Sequence, residues 1–308
     1  MNKEKFFILL RTLRVNQWVK NLVVFTAIIF SGKLFELDLF LKTFIGFFIF
    51  CLLSSTSYVL NDIIDYSYDK KHPIKKFRPI ASGKVTIPEA TFIVFLLTLI
   101  SLISSLFFSL SFFFLSFIFI LLHFFYSLYL KKYPVIDIFS ISFSFMIRTF
   151  AGEVATGFHI PIWLLLTIFF ISLFMGSVKR HAELVAHGRE GRVSLYHYNE
   201  HFLDFLTYTF GAATILAYST YTYVERVPQV TTFISSYILE TLAISSFESR
   251  KWMMTTIPLV TYGIARYAQL LYEKYEGERP EKIITTDIPL IVTIFLWGVI
   301  VIGLIYVF

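Results

Sequence analysis

Asn61-Asp62-Ile63-Ile64-Asp65-Tyr66-Ser67-Tyr68-Asp69 closes a hydrophobic run that extends from Leu39 to Leu60. A basic tract follows at once, with Lys70, Lys71, Lys75, Lys76, Arg78 and Lys84. Three carboxylates and an asparagine at the end of an apolar run are poor packing residues. Asn61, Asp65 and Asp69 are spaced i, i+4, i+8, so on a helix they share one face. Carboxylates stacked this way repel one another, and a bound divalent cation turns the repulsion into attraction. Hard oxygen ligands completed by phosphate and water describe a Mg2+ site that holds a pyrophosphate. The plainer alternative is a solvated polar helix end, which commonly carries charge.

The rest of the chain says where such a site would sit. Of 308 residues, 56% are hydrophobic, 19% aromatic and only 16% charged, a balance foreign to soluble domains. Mean hydropathy is +0.71. Apolar runs near twenty residues recur along the whole length, so the class is an all-α integral membrane protein, one polytopic domain over 1–308. The lone cysteine, Cys51, lies inside an apolar run, so neither an internal disulfide nor a cysteine metal site is available. No small-residue cleavage site follows the basic first twenty residues, and no removable leader is read there. The formal charge of +6 reports cytoplasmic loops and anionic ligands before nucleic acid, and no nucleic-acid partner is expected.

Nine spans are expected. Residues 3–18 read as an amphipathic helix within an interfacial N-terminal segment, 1–20. The spans run over 22–30, 39–60, 87–108, 111–130, 135–157, 161–178, 202–223, 252–272 and 287–308. Polar loops at 61–86 and 179–200 form the expected active-site loops, a more polar connection covers 224–251, and a charged loop covers 273–286. Lys and Arg cluster in the N-terminal segment, the 61–86 loop, the 131–132 turn, the 179–192 loop and the 266–286 region. The opposite connections hold only Lys33, Arg226, Arg250 and Lys251. The N-terminus is therefore expected in the cytoplasm and the C-terminus outside. Every polar motif then falls on the cytoplasmic side, where a soluble phosphorylated substrate is available.

Several stretches carry candidate chemistry. His72-Pro73-Ile74-Lys75-Lys76-Phe77-Arg78-Pro79 sets cations for phosphate beside carboxylates for Mg2+, and Pro73 and Pro79 stiffen the loop. Lys179-Arg180-His181-Ala182-Glu183-Leu184 is either a second phosphate site facing the first or a surface pair between Lys179 and Glu183. Arg148, within a span, should not face lipid. It reads as an inward-facing anion ligand, with a pair to Glu153 or snorkelling as the alternatives. Lys20 opens the first span, and Arg266 and Tyr267 lie near the cytoplasmic end of the eighth. His197 and His201 lack a completing carboxylate and read as interfacial. No GxSxG elbow, GxGxxG or Walker A loop is present. The phenylalanine-rich third and fourth spans fit lipid-facing packing and a polyisoprenoid tunnel equally well.

These residues resemble a known family. Asn61-Asp62-x-x-Asp65-x-x-x-Asp69, ending a second helix in a nine-span chain, resembles the UbiA superfamily of membrane prenyltransferases. The resemblance implies nine helices around a central cavity and a Mg2+-bound pyrophosphate. Most members carry a second Asp-rich motif near the end of the sixth helix, and here that position reads Lys179-Arg180-His181-Ala182-Glu183-Leu184. The departure is similar to the decaprenyl-phosphate phosphoribosyltransferase branch, as are Arg14-x-x-Gln17-Trp18-Val19-Lys20-Asn21, Lys75 to Ala81, Ile147-Arg148 and Arg266-Tyr267-Ala268.

The branch implies transfer of 5-phosphoribose from 5-phosphoribosyl diphosphate to a polyprenyl phosphate lipid, with pyrophosphate released. It implies Asn61, Asp65 and Asp69 as catalytic metal ligands, with Asp62 a ligand by analogy. It implies Lys20, Lys75, Lys76, Arg78, Arg148, Lys179, Arg180, Glu183, Arg266 and Tyr267 around the substrate phosphates. A prokaryotic cell membrane with the active site facing the cytoplasm is expected, and a homo-oligomer is compatible with it. The competing expectations are a prenyltransferase of the same fold acting on an aromatic or glycerol acceptor, and a transporter or lipid-binding protein.

Overall fold

A computed structural model describes residues 3–72, 74–188, 193–225, 252–274 and 286–306, and among them there is no strand. Pro73, Arg189, Arg192, the connection over 226–251 and the loop over 275–285 lie outside the described residues. The helices are α1 (Lys3–Leu13), α2 (Thr26–Phe30), α3 (Leu37–Ile64), α4 (Tyr66–Asp69), α5 (Ile87–Phe108), α6 (Leu110–Leu128) and α7 (Ile136–Thr156). They continue with α8 (Ile162–His187), α9 (Glu200–Val224), α10 (Ile257–Lys274) and α11 (Ile288–Tyr306). Six of these, α3, α5, α6, α7, α8 and α11, are long and apolar enough to cross a membrane. Helices α9 and α10 are long but more polar, and the apolar segment Val15–Phe30 is shorter.

Two compact units divide the chain. The first comprises Met1–Thr26, Asp38–Lys131 and Ile147–Gly157. Its core joins Ile49, Phe50 and Leu53 of α3 to Phe112 and Phe119 of α6 and to Ala151 and Ala155 of α7. Small residues let backbones approach where lipid supplies no hydrophobic drive. Gly152 is the extreme case: a Cβ there would lie 2.1 Å from the Val24 carbonyl oxygen. Thr86 and Glu89 form a capping box that starts α5, and the Ser109 hydroxyl caps α6 by accepting from the Phe112 N–H at 3.1 Å. Only Ala90, Ser101 and Ser105 of α5 are buried, so this hairpin turns most of its surface outward.

The N-terminal segment departs from expectation. Helix α1 stops at Arg14, whose φ of 51° is left-handed, and Val15–Phe25 follows as a 3₁₀ helix. Eleven residues is long for that geometry. Bonds to other helices hold it. The Trp18 indole N–H donates to Ser55 Oγ at 3.0 Å, Ser55 Oγ donates to the Leu13 carbonyl at 2.9 Å, and Asn21 is bonded to Cys51, Ser54 and Arg148.

The second unit comprises Ala27–Leu37, Lys132–Met146 and Phe158–Phe308. Its largest core gathers Phe30, Leu164, Leu165, Tyr218, Tyr221, Met253, Val301 and Tyr306. Buried tyrosines find partners there, as their hydroxyls must. Tyr306 Oη accepts from the Leu34 N–H and donates to the Ile29 carbonyl, both at 2.9 Å. Tyr218 Oη accepts from the Trp297 indole at 2.8 Å.

Candidate active site

The acidic motif lies wholly within the first unit. Helix α3 gives way at Asp65, yet the i+4 backbone bonds continue: the Asp65 N–H donates to the Asn61 carbonyl at 2.9 Å and the Asp69 N–H to the Asp65 carbonyl at 2.8 Å. The side chains separate into two groups. Asp62 and Asp69 share Arg78, whose Nη1 lies 3.0 Å from Asp62 Oδ1 and 2.7 Å from Asp69 Oδ2. Arg14 Nη2 reaches the same Asp62 oxygen at 2.5 Å, and its guanidinium stands 5.1 Å over the Tyr58 ring. Asp65 instead meets Lys131, whose Nζ lies 2.5 Å from Asp65 Oδ1 and 3.2 Å from Asn61 Oδ1. Asn61 Nδ2 donates back to Asp65 Oδ2 at 3.0 Å.

Three carboxylates therefore face three cations, and the cluster is close to neutral. Burial differs within it: the Asp62 side chain is 4% exposed and that of Asp65 26%. Burial raises the pKa of Asp69, the charge of Asp62 adds to the rise, and Arg78 opposes it. Burial acts to lower the pKa of Arg14, but the ion pair with Asp62 outweighs it and the net shift is upward. Among the described residues no three of His, Cys, Asp and Glu converge as a metal cage. Two pairs of oxygens each converge on one cation: those of Asn61 and Asp65 on the Lys131 ammonium, and those of Asp62 and Asp69 on Arg78.

The basic residues expected around phosphate distribute unevenly. Lys75 and Lys76 ride the 3₁₀ turn Lys75–Phe77 beside Arg78, with Lys76 exposed over the Phe77 ring. Lys20 is half-buried on the N-terminal 3₁₀ segment. Arg148 is buried, with Nε donating to Asn21 Oδ1 at 2.6 Å, Nη2 to Ser54 Oγ at 3.3 Å, and its guanidinium 4.6 Å over Phe119.

In the second unit, α8 continues nine residues beyond the expected end at Val178, so Lys179 to Leu184 is helix rather than loop. Arg180 has 0% of its side chain exposed. Its Nε lies 3.0 Å from Asp137 Oδ2, which is equally buried, and Nη1 pairs with Glu183. Glu183 is thus engaged by Arg180, one turn away, and not only available to Lys179. Tyr198 Oη donates to Asp137 Oδ1 at 2.8 Å and accepts the Val135 N–H at 2.5 Å. Burial and the Asp137 charge both push the Tyr198 pKa upward, which keeps this phenol a donor. Val135 itself has a φ of 67°, uncommon for a β-branched residue. Arg266 holds Asp287 through two bonds, of 3.2 and 2.8 Å. Tyr267 is buried in a core cluster and packs against Phe174.

Sequence reading left three groups without a role. Arg14 appeared in a motif only. Lys131 counts in the sequence only as an orientation charge, Tyr198 only as one of the residues that follow the Lys179–Leu184 motif, and Asp137 not at all, because their partners are 66, 61 and 43 residues away.

Comparison with known proteins follows the same lines. The profile of the UbiA prenyltransferase family matches residues 22–187. A decaprenyl-phosphate phosphoribosyltransferase from Mycolicibacterium smegmatis is 32% identical over 94% of this chain and 89% of its own. One from Corynebacterium glutamicum is 30% identical over 97% of this chain and 87% of its own. The structure of a UbiA homolog from Archaeoglobus fulgidus bound to GPP and Mg2+ superposes with a TM-score of 0.67 over 96% of this chain and 98% of that one, at 17% identity.

Proposed function

The chain belongs to the UbiA prenyltransferase family, and we propose that it transfers 5-phosphoribose from 5-phosphoribosyl diphosphate to a polyprenyl phosphate. The observation that carries this reading is the end of α8. The resemblance puts Lys179, Arg180 and Glu183 where most of the family has a second acidic cluster, and relatives that match nearly the whole chain are named decaprenyl-phosphate phosphoribosyltransferase. The proposed setting is an integral membrane protein of nine spans with its N-terminus and acidic motif on the cytoplasmic side.

The oxygens at the end of α3 fit a divalent ion. Asn61 Oδ1 and Asp65 Oδ1 are hard donors, and they already converge on the Lys131 ammonium, a stand-in cation. Asn61 and Asp65 would hold the ion, and Asp69 and Asp62, which share Arg78 here, would complete the set by giving up that partner. Mg2+ there would neutralise charge on the departing diphosphate.

The chain's own residues do the rest by position and charge. Lys75, Lys76 and Arg78, on one turn beside the carboxylates, bind and orient the anionic groups of the soluble substrate, with Lys20 and Arg148 as further candidates. The bond from ribose C1 to the diphosphate oxygen breaks, and a bond from C1 to the lipid phosphate oxygen forms. Positive charge develops at C1, as in glycosyl transfer. The lipid phosphate is already an anion, so no proton has to be removed, and no His–carboxylate base is required beside the motif.

The test is purified protein with Mg2+, labelled 5-phosphoribosyl diphosphate and polyprenyl phosphate. Labelled lipid and free pyrophosphate are expected. No labelled lipid, with product from a prenyl diphosphate and an aromatic or glycerol acceptor, would replace this reading with an ordinary prenyl transfer.

A further inference from the structure

Arg14 has a place in the acidic cluster that the reaction above does not use. Its backbone is left-handed at φ 51°, a costly state for a residue with a Cβ. Such strain persists only where the surroundings over-determine it, and here they do. The carbonyl of Leu13, immediately before it, is held by Ser55 Oγ at 2.9 Å. Trp18, just after it, is tied to the same hydroxyl at 3.0 Å. The Arg14 carbonyl itself accepts the Gln17 N–H at 2.7 Å. The side chain then runs across Tyr58 to Asp62. Asp62 is the carboxylate that also holds Arg78, and Arg78 in turn holds Asp69.

We propose that Arg14 is a positioning residue that sets the charge of the acidic cluster, fixing the compromise between cation and diphosphate affinity. Asp62, Asp65 and Asp69 against Arg14, Arg78 and Lys131 leave the cluster near zero. A cluster one charge more negative binds a divalent ion more tightly and a diphosphate more weakly. One that is more positive does the reverse. Arg14 is the member suited to hold this balance without touching substrate: the strained turn and Ser55 fix its origin, and a buried carboxylate fixes its tip. The inference rests on the proposed function for the cation site and for the identity of the anion.

The experiment uses the full-length enzyme in detergent. Mn2+ binding is measured by electron paramagnetic resonance without substrate, and KM for 5-phosphoribosyl diphosphate is measured separately. Arg14→Gln is expected to bind Mn2+ ~3- to 10-fold more tightly and to raise KM by a similar factor, the loss of one unit charge acting through a largely water-screened, high effective dielectric. Arg14→Lys keeps the charge and is expected to restore both values. Ser55→Ala, which loosens the anchor and leaves every charge in place, is expected to move Mn2+ affinity in the same direction by a smaller factor. A merely structural arginine would, on removal, weaken cation and substrate binding together. Weaker or unchanged Mn2+ binding in Arg14→Gln, or no Mn2+ binding by either protein, overturns the proposal. Tighter Mn2+ binding with no turnover of 5-phosphoribosyl diphosphate would leave it standing and count against the proposed reaction instead.

Discussion

The Asp137–Arg180 pair allows a quantitative test. Both side chains are fully buried, with 3.0 Å between Nε and Oδ2. Replacing Asp137 with Asn keeps the shape and an acceptor for Tyr198 but removes the charge. Removing one partner of a buried ion pair costs about 3–5 kcal/mol, because the other charge is left uncompensated. Glu183 still contacts Arg180, so the lower end, about 3 kcal/mol, is expected. At about 2–3 °C per kcal/mol for a chain of this size, the melting temperature should fall by ~6–9 °C. The assay is a thermal melt in detergent, followed by intrinsic fluorescence. Asp137→Asn combined with Arg180→Met removes the stranded charge and should recover most of the loss. A single variant that melts within ~2 °C of the parent, or a double variant less stable than the single, would refute the argument that these two charges depend on each other.

Gly152→Ala places a methyl 2.1 Å from the Val24 carbonyl oxygen, and a melt should show a loss of about 3 kcal/mol or a displaced N-terminal segment. Gly303→Ala, with no atom within 4 Å of the new carbon, should leave the melt unchanged or slightly raised. Lys131→Met frees Asn61 and Asp65 of their cation, and electron paramagnetic resonance should show tighter Mn2+ binding with little change in melting temperature. Chelation with EDTA should abolish transfer and added Mg2+ should restore it, whereas Asp65→Asn should remain inactive at every Mg2+ concentration while folding normally.

Much of the helical frame was legible because its punctuation is local. Helix α5 occupies the stretch the hydrophobic run marks out, since Thr86, Glu89 and Ser109 bound it in the sequence itself. The end of α8 was not legible. Lys179 to Leu184 looks like a loop because it is charged, but the pairing of Arg180 with Asp137 and Glu183 lets the helix carry those charges inward. The N-terminal segment failed for a related reason. Nothing near Arg14 announces a left-handed residue; the bonds that enforce it come from Ser55, on α3. The acidic motif was found by spacing, but spacing grouped Asn61, Asp65 and Asp69 as one face. The side chains instead sort by their cations, Asp62 with Asp69 on Arg78 and Asn61 with Asp65 on Lys131, and that sorting depends on residues far away in the chain.

The hairpin of α5 and α6 has a consequence for biogenesis. One residue, Ser109, joins two arms whose outward faces carry Phe92, Phe95, Phe107, Phe114, Phe117 and Phe124. Arms so closely tethered are built to enter a bilayer as a pair. Acyl chains are then the principal solvent of this pair, and exchanges among its outward phenylalanines should register in the membrane thickness and lipid composition the protein tolerates rather than in the order of its core.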